Sequence, residues 1–195
     1  MASAIASVRA LPAAPLVCAT LNFAATLVMA LVLAPATPIV TDAAERSAYV
    51  QTHLVAWRLG WAVWIAAALS LLAFYAWWRG RIGAPHIAVV LAASGLFADV
   101  TSETMLILYD TATAPFAFVL TGVVANGLYT ACGIWLTLAM RLNTTERVWA
   151  AVMWSAGIAL SLATLTGLYL LAAVATALLF ALFCPWCVYL AVKLR

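Results

Sequence analysis

The chain has 195 residues, 68% hydrophobic and only 8% charged, where soluble proteins carry roughly a quarter charged residues. That balance excludes an ordinary soluble domain, and it excludes disorder, which goes with few apolar residues and much charge. The nine basic residues behind the formal charge of +3 are strewn along the chain, so no basic stripe offers a footprint to nucleic acid. What remains is an all-α, polytopic membrane bundle, one transmembrane helical domain over residues 1–195.

A membrane-spanning helix needs about 20 mostly apolar residues, and breaks at proline, glycine and charge leave six such segments: 12–34, 54–78, 86–108, 116–140, 148–165 and 168–192. The first follows Arg9 and reaches Ala34-Pro35-Ala36; its apolar run outlasts the core of a secretory signal, so it reads as a span. The connection 35–53 holds two prolines and then the polar stretch Asp42–His53, which predicts a short amphipathic helix at the membrane surface. On the second span Trp57, Trp61 and Trp64 form a stripe beside Arg58, and Phe74, Tyr75, Trp77 and Trp78 crowd the end before Arg79, as an interfacial belt does. The fifth and sixth spans are parted only by Thr166-Gly167, where the glycine predicts a turn rather than one kinked helix. No internal repeat is visible, which removes an argument for an inverted-repeat transporter.

Connections sort by charge. Arg9, Arg79, Arg81, Arg141, Arg147, Lys193 and Arg195 fall on one side, and Asp42, Glu45, Arg46 and Asp110 on the other. Basic residues mark the cytoplasmic side. Both termini are therefore expected in the cytoplasm, with 35–53 and 109–115 facing outward, in a multi-pass protein of the cell membrane.

Ionisable groups inside a span are expensive and are functional candidates by default; here they are Arg58, Asp99 and Glu103. Asp99 and Glu103 stand four apart on the third span, so they share one helix face. At 1.5 Å per residue, Asp99 falls near mid-membrane and Glu103 about 6 Å further outward. Arg58 counts to a depth near Glu103, and Asn22 and Asn126 count to the level of Asp99. Gly122, Asn126, Tyr129, Thr130 and Gly133 line one side of the fourth span, where glycines admit a neighbouring backbone or a ligand. Two carboxylates against one guanidinium leave a net negative charge, which calls for a proton or a bound cation. Asp99, Glu103, Arg58, Asn126, Asn22, Tyr129 and Trp61 are thus the candidate ligand- or proton-binding residues, with the tryptophans as a wall on which a cation could also rest. Interhelical glue is the competing account, above all for the asparagines.

Cys184-Pro185-Trp186-Cys187 has the C-x-x-C spacing of thiol redox and soft-metal sites. In those four residues it is similar to the membrane oxidoreductases that pass electrons to quinone, the vitamin K epoxide reductase and disulfide-forming families; the loop cysteine pair of those families is absent here. Free cysteine is more often a small apolar core residue, and Pro185 kinks a helix. His53 and His86 fall on opposite sides of the membrane, which excludes a joint haem or metal site, and no cofactor is expected. No phosphate loop, nucleophile elbow or His-Glu-x-x-His string occurs.

The run from Asp42-Ala43-Ala44-Glu45 through Trp57-Arg58-Leu59-Gly60 resembles an uncharacterised bacterial six-helix membrane family, a domain of unknown function, and that resemblance implies architecture without activity. In size, span count and inward termini the chain also looks like the substrate-capture subunits of energy-coupling vitamin transporters, an architectural analogy. Three functions stay open at this level. One is a small-molecule, cation or proton binding or transport protein whose acidic pocket opens outward between the first four spans. The second is an intramembrane acid/base enzyme on a lipophilic substrate, with its two carboxyls split into acid and base. The third is an accessory subunit for which the polar layer is glue toward a membrane partner. The expected partners are the lipid bilayer and a small molecule, cation or proton, with a partner subunit in the third case.

Overall fold

The computed structural model describes residues 12–108 and 114–195; the charges expected at Arg9 and Asp110 lie outside them. Six helices are long and apolar enough to cross a membrane, and the protein is an integral, multi-pass, all-α bundle. These spans are α1 (Ala13–Ala36), α3 (Leu54–Ile82), α4 (Ile87–Leu108), α5 (Ala114–Leu138), α6 (Thr144–Leu165) and α7 (Tyr169–Lys193). The predicted surface helix is α2 (Ala43–Thr52), whose first turn is capped by the Asp42 carboxylate accepting from the amides of Ala44 at 2.8 Å and Glu45 at 3.3 Å. The predicted break between the last two spans is a true turn: Gly167 takes φ +73°, a conformation that costs glycine nothing. Gly83 ends α3 the same way, at φ +67°.

Each span packs on its neighbours in sequence, and α1 packs on α7 to close the circle. The six spans therefore form a ring in chain order: α1, α3, α4, α5, α6, α7. Lipid tails are as apolar as leucine, so such a ring is held by close fit and by hydrogen bonds between helices. The α5–α6 seam shows both. Gly133 of α5 receives the Trp154 indole of α6, and Gly157 of α6 receives Thr130 of α5. Asn126 donates to the Gly157 carbonyl at 2.7 Å and to Ser161 Oγ at 2.8 Å.

One end of the ring carries Arg79, Arg81, Arg141, Arg147, Lys193 and Arg195; we refer to it as the basic end. There the interior is solid. Phe74 touches Tyr75, Trp78 and Phe183, and Trp186 bridges Trp78 and Trp149. The same end is tied by Glu146, which closes a capping box with Asn143, forms an ion pair with Lys193 at 2.5 Å and accepts from Tyr189. That polar knot is why α6 starts at Thr144, four residues before its apolar run begins. Pro185 lies within α7 without ending it, and the Leu182 carbonyl in the turn before it accepts from Trp149 Nε1 at 3.2 Å. Toward the far end the ring is not filled.

Candidate functional site

Inside the far half of the ring lies a cavity of about 270 Å³. It extends from the level of Asn22 and Leu71 to a rim made by Thr37, Pro38 and Ile39 after α1 and Tyr169 at the start of α7. All six spans contribute to its wall.

Its acidic group is Asp99 of α4, 7% exposed. Thr121 Oγ1 donates to Asp99 Oδ1 at 2.5 Å, and the Tyr129 hydroxyl approaches the same carboxyl without closing a hydrogen bond. Asn22 lies across the cavity on α1, fully buried. Its amide nitrogen donates to the Cys18 carbonyl at 2.9 Å and to Ser70 Oγ at 3.3 Å, while Oδ1 has no partner. The indole N–H groups of Trp61 and Trp64 are likewise buried and unpaired. Buried polar atoms normally find partners. Four lining residues, Asn22, Trp61, Trp64 and Tyr129, thus each carry a buried polar atom without a closed hydrogen bond among the described residues. Aromatic faces complete the wall, with Trp61 against Phe118 and Trp64 against Phe180.

Two departures from α-helical geometry build this chamber. In α1 the turn Met29–Leu33, and in α5 the turn Leu120–Ala125, are π-helical, a widening often found at functional sites. Thr121 and Asn126 are five residues apart and would diverge by about 140° in an α-helix at 100° per residue. Closing the turn i to i+5 brings them nearly into register, so both line the cavity. The Gly122 carbonyl in that turn accepts from Ser161 Oγ at 3.1 Å, and the Val32 carbonyl in the α1 turn accepts from Tyr49 of α2 at 2.7 Å.

Of the seven residues singled out in the sequence, Asp99, Asn22, Asn126, Tyr129 and Trp61 meet at the cavity. Arg58, expected among these binding residues, does not line it. Trp57 takes the inward position on α3, its Nε1 donating to the Leu106 carbonyl at 2.6 Å. The next residue lies about 100° further round the helix. Arg58 is accordingly exposed on the outside of the bundle, where its Nε donates to the Ile107 carbonyl at 3.3 Å. Among the described residues no basic side chain pairs with Asp99 or Glu103.

Glu103 is 0% exposed, lies outside the cavity wall, and neither carboxyl oxygen has a hydrogen-bond partner. An unpaired buried carboxylate would cost several kcal/mol, so the site accommodates the uncharged acid. Glu103→Gln, which preserves shape without charge, is expected to keep its melting temperature in detergent within a few degrees of the parent. A steep fall in that temperature would show that the negative charge is in use.

Sequence reasoning missed Thr121, Thr164, Thr176 and Phe180, all in the wall. It also placed the pocket among four spans instead of six. The C-x-x-C pair stands apart from the cavity: Cys187 is fully buried, Cys184 is half-buried, and Cys18 of α1 neighbours both across the seam that closes the ring. Among the described residues no cluster of three or more histidine, cysteine or carboxylate side chains could hold a metal ion. Comparison of the chain with protein-family models, with curated proteins and with solved structures finds no match.

Proposed function

We propose that this protein is a cell-membrane binding or transport protein for a small organic cation, with its basic end in the cytoplasm and its cavity facing outward. The observation that carries the reading is Asp99: a carboxyl enclosed by aromatic walls, reachable from the far-end rim, with no countercharge supplied by a side chain among the described residues. A positively charged amine there would gain from the carboxylate and from the ring faces together. A volume near 270 Å³ sits at the small end of ligand pockets, which suits a compact head.

In this reading exchange is one-sided. Outward lies the rim, and inward lie Tyr75, Trp78 and Trp186, all buried. Release toward the cytoplasm would require that aromatic plug to part, or a partner subunit to part it.

The test is a charge series at constant size. Purified protein in detergent is titrated calorimetrically with n-hexylamine, n-hexanol and hexanoate. Saturable binding of the amine, tighter than the alcohol by about tenfold or more, is expected for a partly desolvated ion pair. Equal affinity for amine and alcohol would remove the acid from recognition.

A further inference from the structure

The wall between α1 and α7 is not uniform along its length. Near the basic end the two helices pack directly, with Cys18 against Cys187. Toward the far end the π turn Met29–Leu33 of α1 packs on α3. At that level the cavity is lined by Met29 and Ala30 on α1 and by Ala173, Thr176 and Ala177 on α7. Ala30 and Ala177 are exposed as well as lining the cavity, and the residues around them, Leu27, Leu31, Val174 and Leu178, face outward to lipid. A residue that belongs both to a cavity and to the lipid face marks an opening between the two.

Building on the reading of Asp99 as a cation site, we infer that the cavity opens sideways into the outer leaflet between α1 and α7, and that its ligand is a single-chain amphiphile whose amine head lies at Asp99 while its alkyl tail leaves through this window. Asn22, whose buried Oδ1 has no partner among the described residues, lines the same cavity on the helix that carries Ala30. A chamber of about 270 Å³ holds a head and a short chain only, so a longer tail needs the window.

Chain length tests this directly. The protein is reconstituted in phosphatidylcholine vesicles, and binding of n-butylamine, n-dodecylamine and n-octadecylamine is measured relative to the concentration of each amine in the membrane. An open window predicts binding across the whole series. The double substitution Leu31→Trp with Val174→Trp, at lipid-facing positions outside the cavity lining, should weaken octadecylamine by about tenfold or more and leave butylamine within about twofold, as expected for steric closure of a packed gap. The milder Val174→Phe should fall between. Butylamine binding with rejection of octadecylamine by the unmodified protein would leave the cation site standing and overturn the window. So would octadecylamine binding that the double tryptophan does not alter. If no amine binds, the cation site itself fails and takes the window with it.

Discussion

Asparagine in place of Asp99 is expected to lower affinity for a short alkylamine about a hundredfold, close to 3 kcal/mol, with the fold intact. The substitution removes a charge and almost nothing else. The Asn side-chain oxygen still accepts from Thr121, which now donates to Asp99 Oδ1 at 2.5 Å, and the volume is nearly unchanged. What disappears is the attraction between an ammonium and a carboxylate screened from water, an interaction worth far more inside a protein than at its surface. Melting temperature should hold or rise, because an enclosed charge without a basic partner is itself a cost in the empty protein. Calorimetry and thermal unfolding on the same preparation separate the two effects. Unchanged affinity in a folded variant would reduce Asp99 and Thr121 to a structural contact between α4 and α5.

The contrast with Glu103 shows what the sequence could and could not disclose. Both acids stand out in an apolar span, and spacing alone puts them on one face of α4. The cavity reaches only Asp99, since Glu103 lies one turn further along, where Leu106 and Ala117 are also fully buried. Depth was legible, because it follows from counting residues at a fixed rise. Rotation was legible only where the helix stays regular and the neighbour is known. Arg58 shows the limit: Trp57 claims the inward face and turns the guanidinium out, against the Ile107 carbonyl one turn beyond Glu103.

The π turns mark the second limit. Nothing in Met29–Leu33 or Leu120–Ala125 announces a widened turn, since its partners lie elsewhere: Tyr49 for α1 and Ser161 for α5. Thr121 could not be placed beside Asn126 without it. Spans α6 and α7 were overlooked for a plainer reason. Their contributions to the wall, among them Thr164, Ala173 and Thr176, are the small and hydroxylic residues that pack any pair of membrane helices. The ring closure of α1 on α7 makes them cavity residues, and no local pattern encodes that closure.

Leucine at Gly133 is expected to prevent the ring from assembling, with loss of the monodisperse protein on size exclusion and of its cooperative melt. A β-carbon built at Gly133 would stand 2.2 Å from Cη2 of Trp154 and 2.4 Å from its Cζ2, well inside contact distance. The indole borders an open groove between α5 and α6 but is held by two contacts. Its Nε1 donates to Thr137 Oγ1 at 2.9 Å, and its ring lies 6.2 Å from that of Phe183 in the aromatic plug. Relief costs either those two contacts or a separation of α5 and α6, which would strain the Asn126 hydrogen bonds to Gly157 and Ser161. Alanine carries the same first atom, so Gly133→Ala should already cost about 1 to 3 kcal/mol, the usual range for overpacking. The double variant Gly133→Ala with Trp154→Phe shortens the opposing ring and should recover part of that loss. If Gly133→Ala melts like the parent, the α5–α6 seam is looser than the fit of glycine to tryptophan requires, and the inner seal of the cavity must be sought in the contacts among Trp78, Trp149 and Trp186.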